Sequence, residues 1–318
     1  MPTRQQEPAS RAPLVVWLGD PLCADASLVG HKAAHLGQLS LTHPVPGGFC
    51  ITTEAFLRYQ ENGAVSDETA AAIVAAYARL AARDGSGGPI ADGAASPAGD
   101  PPGPRVAVRS SAVDEDSPDA SFAGQHDTFL NVAGAEGLLD AVAKAWHSAR
   151  SEAALAYRSS RGLAATNIAL AVLVQLMVRA DSSGVAFSVD PVKEDPNRIV
   201  VSANWGLGES LVGGKVNPDR WVFEKPSLAL LEANLGDKQL MTITAETGTR
   251  EVKVPSFLRE RRSLSDDEVT AVAELTRELE RLQGWPVDAE FAFDSGRLYL
   301  LQCRPVTTLP GQEAAPQP

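Results

Sequence analysis

Residues 287–305 read VDAEFAFDSGRLYLLQCRP, two alternating runs around a short turn. A period of two indicates strands with one polar and one apolar face, so this segment predicts an antiparallel hairpin. A three-residue turn at 294–296 places Glu290 opposite Leu300. One face then carries Asp288, Glu290, Gln302 and Arg304, and the other carries Val287, Phe291, Phe293, Tyr299 and Leu301. A slip of one residue would mix the two sets, which supports this register.

The polar face of this hairpin suggests a chemistry. Oxygen ligands from Glu290 and Gln302 suit magnesium, which proteins hold with one or two groups plus substrate phosphates. The planar guanidinium of Arg304 suits a phosphoryl group. For the hairpin taken alone, an exposed polar face with a surface ion pair is an equally good interpretation.

The rest of the chain alternates strands and helices. Strand-like runs are VAVR, IALAVLVQLMV, GVAFSVDPV and RIVVSANWG. Helical spacing of apolar residues predicts helices over 66–83, with Ser66 as N-cap, and over 135–162 and 265–283. This mixture predicts an α+β or α/β fold. No internal repeat is visible.

A segment rich in glycine and proline interrupts the chain. Eleven of the residues from 84 to 105 are Gly or Pro, a composition that buries too little apolar surface to offset its ordering entropy. We therefore predict a flexible insertion over 84–104. Residues 1–13 and the polar tail 310–318 are predicted to be disordered.

Composition narrows the possible partners. The formal net charge is −12, which argues against general binding to nucleic acid or an anionic membrane because both need a basic footprint. Cys23, Cys50 and Cys303 are few and far apart, so they suggest neither a disulfide framework nor a metal knuckle. The N-terminus lacks an apolar stretch of signal-peptide length. We expect a cytoplasmic protein.

The glycine-rich stretch NWGLGESLVGGKVNPDR, residues 204–220, resembles a phosphate loop only superficially. Gly206 and Gly208 begin a G-x-G without the third glycine, and the spacing from Gly208 to Lys215 is one residue too long for a Walker A loop. On spacing alone, we interpret this stretch as a turn-rich connection between strands.

Six segments together resemble one known family. They are GHKAAHLGQL, PVPGGFCITTEAF, VAVRSSAVDEDSPDASFAGQHDTFLNV, VLVQLMVRADSSGVAFSVDPV, NWGLGESLVGGKVNPDRW and VDAEFAFDSGRLYLLQCRPVTT. In this order they resemble the ATP-grasp nucleotide-binding domain of the phosphoenolpyruvate synthase and pyruvate phosphate dikinase family, which includes rifampin phosphotransferase. The resemblance covers residues 14–309 and implies two lobes that clamp Mg-ATP, one over about 14–190 and the other over about 191–309.

The resemblance also implies roles for individual residues. Lys32 and Arg109 would grip phosphates, and the backbone around Gly124 with Thr128 would cover them. Gln175 would lie at the adenine side. Glu290 and Gln302 would ligate Mg²⁺, and Arg304 would stabilise the transferring phosphoryl group, which makes Lys32, Arg109 and Arg304 the expected catalytic residues. These roles suit phosphoryl transfer, which needs positioning and charge neutralisation more than covalent help.

Other polar residues are interpreted more simply. The acidic run Asp114, Glu115 and Asp116 is expected to be a solvated loop, because it would repel phosphate if it pointed inward. The five histidines do not resemble the family's phosphorylated histidine loop and are expected to be structural or surface groups. One departure weakens the Lys32 assignment: Gly30-His31-Lys32 stands where the family commonly has Gly-Gly-Lys.

Three functions stay open at this stage. The first is an ATP-binding component that donates a phosphoryl or pyrophosphoryl group to a histidine on a separate domain or subunit, with AMP and phosphate as eventual products. That reading requires a histidine-bearing phosphocarrier and an acceptor-binding protein as partners. The second is a direct small-molecule kinase or an ATP-grasp ligase. The third is a non-catalytic nucleotide-binding regulatory module.

Overall fold

The computed structural model of the chain describes residues 12–82, 103–113, 128–151 and 168–306. Residues 1–11 of the predicted disordered segment 1–13, the predicted tail 310–318 and most of the predicted insertion lie outside these ranges. Within them the fold combines helices with antiparallel sheets, so the α+β prediction is confirmed. No helix in the described ranges is long and apolar enough to cross a membrane.

The first half of the described chain builds a five-stranded antiparallel sheet. Its strands are β1 Val15–Trp17, β2 Gly48–Ile51, β3 Val106–Ala112, β4 Thr128–Val132 and β5 Leu170–Leu176, in the spatial order β1-β2-β5-β3-β4. The helices of this half are α1 Ala26–Leu39, α2 Thr53–Asn62, α3 Asp67–Ala82 and α4 Gly134–Ser148. A short 3₁₀ turn, Pro21–Ala24, precedes α1.

The second half builds a six-stranded antiparallel sheet and a separate hairpin. The sheet strands are β6 Ser182–Phe187, β7 Arg198–Trp205, β8 Asp219–Glu224, β9 Leu230–Asn234, β12 Val287–Asp294 and β13 Arg297–Pro305, in the order β13-β12-β6-β7-β8-β9. Strands β10 Leu240–Thr244 and β11 Thr249–Lys253 pair only with each other as a two-stranded sheet. The helices are α5 Glu209–Val212, α6 Ser256–Arg259 and α7 Asp266–Gln283.

Local sequence signals account for the helix ends. The Ser66 hydroxyl accepts a hydrogen bond from the Thr69 N–H and caps α3 as predicted. Ser265 and Glu268 form a capping box at the start of α7, which satisfies two backbone N–H groups at once. The helix predicted over 135–162 is present as α4 and ends at Ser148; residues 152–162 lie outside the described ranges.

Three apolar cores hold these layers together. Helices α2, α3 and α4 pack on one face of the five-stranded sheet around Phe56 and Trp146. On the opposite face, α1 is buried together with residues of β12, β13 and α7, so this core joins both sheets. Helix α7 packs on the six-stranded sheet around Trp221 and Phe291. The chain passes from one sheet to the other between residues 176 and 182, ahead of the lobe boundary expected near 190.

The register predicted for the C-terminal hairpin is wrong. The turn has two residues, Ser295 and Gly296, both with positive φ, as is usual in tight hairpins. A β-bulge between Glu290 and Phe291 then places Phe291 opposite Leu300 and Glu290 opposite Gln302. Because the bulge takes up one residue of β13, the polar side chains still meet at the open end of the hairpin, where Asp288 faces Arg304.

A buried ion pair fixes the loops that flank the β10–β11 hairpin. The side chains of Lys238 and Asp219 are both fully buried, with 2.6 Å between Nζ and Oδ1. The Asp219 carboxylate also accepts hydrogen bonds from the Gly236 N–H and from the N–H and hydroxyl of Ser263. Lys238 Nζ donates to the carbonyls of Gly236 and Arg259. These contacts satisfy both charges away from water.

We predict that Asp219→Ala lowers the free energy of unfolding by about 3–5 kcal/mol, because it leaves the Lys238 ammonium buried without its counter-ion. Urea denaturation measures this change. The matched control is Asp140→Ala, which removes the partner of Lys144 from an exposed pair one helical turn apart and should change stability little. Equal effects of the two substitutions would contradict the prediction.

Candidate functional site

A cleft of about 280 Å³ lies between the two sheets. Strands β3, β4 and β5 form one wall, and β6, β12, β13 and the segment after β7 form the other. Its polar side chains include Arg109, Thr128, Gln175, Glu290 and Gln302. Much of the remaining lining is apolar and comprises Leu130, Leu176, Met177, Val178, Leu207, Leu211, Val212 and Leu301. The cleft therefore has a polar part and an apolar part in one volume.

Arg109 connects the two walls at the polar part. It lies on β3, and its Nη1 is 3.3 Å from both Glu290 Oε2 on β12 and Gln302 Oε1 on β13. Its side chain is only 11% exposed, so the guanidinium depends on these partners for neutralisation and hydrogen bonding. The structure thus brings Arg109 together with two residues that lie 181 and 193 positions further along the chain.

Arg304 lies beside this group, held by another carboxylate. Its Nε and Nη2 are 2.9 and 2.8 Å from Asp288 Oδ2. Burial raises the pKa of the Asp288 carboxyl, Arg304 opposes this rise, and Glu290 adds to it. Arg304 is not among the cleft-lining residues of the described chain. Asp288 therefore fixes where the Arg304 guanidinium lies.

Lys32 approaches the site from α1. Its Nζ donates to the Ser110 carbonyl at 3.4 Å, on the strand that carries Arg109. This approach depends on Gly30, which interrupts α1 with φ of 75° and lies so close to β3 that a Cβ would be 2.2 Å from the Ser111 carbonyl oxygen. The Ser111 hydroxyl accepts a hydrogen bond from the Ala33 N–H. Glycine is required here for both its backbone angle and its size.

Thr128 and Gly124 are the two residues expected to cover the phosphates, and the structure describes only Thr128. Thr128 begins β4, directly opposite Arg109 in the ladder, and lines the cleft. Gly124 lies outside the described residues, as does the acidic run 114–116. Of the eight sequence-predicted site residues, Arg109, Thr128, Gln175, Glu290 and Gln302 line the cleft, while Lys32 and Arg304 lie next to its polar part.

Gln175 carries an unused hydrogen-bonding group. It lies on β5 between β2 and β3, opposite Gly48 and Ala107. The residue is 3% exposed, and its Nε2 has no hydrogen-bond partner among the described residues. Buried polar groups are rarely left in this state without a reason such as a ligand. Because Gln175 borders Leu176 and Met177 in the lining, its amide is available to a ligand in the apolar part.

Sequence reasoning missed most of the apolar wall. The stretch interpreted as a turn-rich connection does join β7 to β8, but it also contributes Leu207, Gly208, Glu209, Leu211 and Val212 to the cleft. The signal was the short run Glu209–Val212, which forms α5 and turns Leu211 and Val212 towards the cleft. Met177 and Val178 were also missed. They lie in the passage between the sheets, which periodicity within a single strand cannot indicate.

His31 and His35, both on α1, lie in an aromatic row with Trp285. The rings of His31 and His35 have centroids 6.2 Å apart, and His35 lies 5.8 Å from the ring of Trp285. Burial lowers the pKa of His35, with a further contribution from His31. Neither histidine is among the cleft-lining residues described.

The donor set suits a phosphorylated ligand with a magnesium ion. Glu290 and Gln302 offer two oxygen ligands, and the described residues contain no cluster of three or more His, Cys, Asp or Glu side chains that could hold a metal ion alone. A magnesium ion would complete its shell with phosphate oxygens and water, as is usual for this ion. Arg109, Lys32 and Arg304 supply positive charge around the same place.

Comparison with known proteins agrees with this chemistry. Residues 89–318 match the family described as pyruvate phosphate dikinase, AMP/ATP-binding domain. The chain is 33% identical to a probable phosphoenolpyruvate synthase of Methanocaldococcus jannaschii, over 93% of the chain and 27% of that protein. It is 34% identical to a probable phosphoenolpyruvate synthase of Pyrococcus horikoshii, over 93% and 44%. A Streptomyces rifampicin phosphotransferase is 37% identical, over 93% and 36%. The chain spans less than half the length of each.

We predict that Gln175→Met raises the free energy of unfolding of the ligand-free protein by about 1 kcal/mol, because it removes an unpaired buried amide at nearly constant shape. Thermal or urea denaturation measures the change. Gln38→Met is the matched control: Gln38 is exposed on α1, where its amide already bonds to water. A clear loss of stability in Gln175→Met would show that the amide is satisfied in the free protein.

Proposed function

Because the chain belongs to the family of the pyruvate phosphate dikinase AMP/ATP-binding domain, we propose that its cleft binds ATP with Mg²⁺ and donates a phosphoryl or pyrophosphoryl group. The acceptor is a histidine on a separate swivelling domain or subunit, and AMP and phosphate are the eventual products. The two sheets act as the two lobes of an ATP-grasp clamp. The reaction takes place in the cytoplasm. The greater length of the relatives supports an acceptor on a domain or subunit other than this nucleotide-binding domain.

One observation carries the proposal: the convergence of Arg109, Glu290 and Gln302 in a volume that continues into an apolar pocket. A nucleoside triphosphate has the same division, with a charged chain of phosphates and a flat base that prefers apolar walls. The base would lie between Leu176, Met177 and Leu211, within reach of the Gln175 amide. The phosphates would lie towards Arg109, Thr128 and Lys32.

The metal would be held by Glu290 and Gln302. Bound there, Mg²⁺ supplies charge neutralisation at the phosphate oxygens. In the structure both oxygens contact Arg109. The site keeps its charges compensated by this arrangement. With nucleotide and metal bound, Arg109 would contact a phosphate, and the Glu290 and Gln302 oxygens would hold the metal.

Lys32 and Arg304 would act at the transferring group. Both side chains are already oriented, Lys32 by the Ser110 carbonyl and Arg304 by Asp288. Preorganised cations lower the barrier because they need no rearrangement as charge develops on the phosphoryl oxygens. Asp288 is thus proposed to hold Arg304 in place without contacting the nucleotide.

Substitution of Arg109 tests the phosphate contact. Removing one charge-assisted contact costs about 1.5–3 kcal/mol, so Arg109→Ala should weaken Mg-ATP binding roughly ten- to a hundredfold. Isothermal titration calorimetry measures the affinity. Arg262→Ala, which removes an exposed arginine paired with Asp266, should bind ATP like the wild type. Equal affinities for wild type and Arg109→Ala would remove Arg109 from the site.

The reaction products test the transfer step. Alone, the chain should turn ATP over very slowly, because a closed site without a nucleophile protects the triphosphate from water. With a partner that carries the swivelling histidine domain, we expect a phosphorylated histidine on the partner and AMP in step with the final product. Arg304→Ala should block transfer and keep most of the ATP affinity. Rapid, acceptor-dependent ADP formation by the purified chain would instead indicate a direct kinase.

A further inference from the structure

A β-bulge in β4 gives one residue an unusual direction. Val108 pairs with Phe129 and Val106 pairs with Val132, so Leu130 and Asn131 together oppose Ala107. Asn131 has φ of 57° and is 4% exposed. A positive φ is uncommon in residues other than glycine, although asparagine adopts it more readily than most. Bulges of this kind turn a side chain out of the ladder and are frequent beside functional sites.

The Asn131 side chain is directed at the tip of the β10–β11 hairpin. Its Nδ2 donates to the carbonyls of Ala245 and Gly248, at 2.7 and 2.8 Å. These two residues close the turn, since the Ala245 N–H bonds to the Gly248 carbonyl. Arg105 Nη1 donates to the Glu246 carbonyl of the same turn. The tip is therefore attached to the five-stranded sheet at two places.

Strand β10 of the hairpin supports the opposite wall of the cleft. The Thr242 carbonyl accepts a hydrogen bond from the Leu207 N–H. Gly206 lies so close that a Cβ would be 2.3 Å from the Thr242 oxygen. Asn204 Nδ2 donates to the Leu240 carbonyl. The hairpin thus connects β4, which carries the cleft residues Thr128 and Leu130, with the segment that carries Leu207 and Leu211.

The hairpin cannot hold this position by itself. It forms a two-stranded sheet separate from both larger sheets, and isolated two-stranded hairpins are marginally stable in water. Its place therefore depends on its contacts with the rest of the chain, at the tip and along β10. At the tip, Asn131 supplies both of its amide hydrogens to turn carbonyls, which uses its full donor capacity.

We propose that Asn131 is a positioning residue for the nucleotide site, acting through the β10–β11 hairpin. It holds the hairpin in place at the end of the cleft. The hairpin in turn keeps the segment that carries Leu207 and Leu211 against the apolar part of the ligand. It does not contact the nucleotide. This proposal rests on the proposed function only for the identity of the ligand; the attachment of the hairpin is independent of it.

Asn131→Gly is the sharpest variant, because glycine tolerates the positive φ and so removes the amide without adding backbone strain. We expect the nucleotide-free protein to melt near the wild-type temperature, while backbone amides of residues 240–253 exchange hydrogen faster. We expect mant-ATP to dissociate about tenfold faster in stopped flow, since loosened contacts act mainly on the dissociation rate. Exchange in β3 and β5 should stay unchanged.

Two further variants sharpen the comparison. Asn62→Gly is the matched control, since Asn62 also donates its amide to a backbone carbonyl, at an exposed helix end; it should change neither exchange at 240–253 nor dissociation. Arg105→Ala removes the second attachment of the turn and should increase both effects in combination with Asn131→Gly. It also provides the test by itself if Asn131→Gly does not fold.

The proposal is overturned if Asn131→Gly has the same amide hydrogen exchange at 240–253 and the same mant-ATP dissociation rate as the wild type. Faster exchange with unchanged dissociation would overturn its functional part, because the hairpin would then move without affecting the ligand. If the wild-type chain binds no mant-ATP, the proposed function fails. In that event the exchange comparison in the nucleotide-free protein still decides whether Asn131 positions the hairpin.

Discussion

The contact of Arg109 with Glu290 and Gln302 is the interaction on which the site depends. A guanidinium that is 11% exposed cannot be left without acceptors, and both acceptors come from the other sheet. The need to neutralise one charge thus favours the close approach of β3 and the β12–β13 hairpin. The same contact brings carboxylate, amide and guanidinium groups together in one place. The contact of Arg109 with Glu290 and Gln302 therefore contributes both to the packing of the two sheets and to the chemistry of the site.

Local patterns predicted the elements well and their assembly less well. The helix caps at Ser66 and Ser265 and the strands with a period of two depend on interactions within a few residues. They can therefore be predicted from the sequence. The hairpin register was missed for two reasons: the turn has two residues instead of three, and a bulge next to Glu290 shifts the pairing by one further residue. The convergence of polar groups survived that error, since the shorter turn and the bulge together move the pairing by two residues, which leaves the same side chains on the same face.

The polar residues of the candidate site could likewise be predicted better than its apolar residues. Its polar and charged members have residue types that indicate their chemistry, and five of them line the cleft. Its apolar members, such as Met177 and Leu211, become a wall only when two sheets meet, which no periodicity expresses. Asn131 is the clearest example of a role hidden from sequence: an asparagine in a strand predicts nothing until the bulge and the hairpin turn are seen together.

The apolar core around α1 has a consequence for motion. It contains Val29 and Leu36 of α1 together with Leu173 of the first sheet and Val287 and Leu300 of the second. Opening the two sheets at this side would expose that core to water, at a cost that grows with the apolar area uncovered. Relative movement of the two sheets should therefore be smallest along α1 and larger on the side away from it.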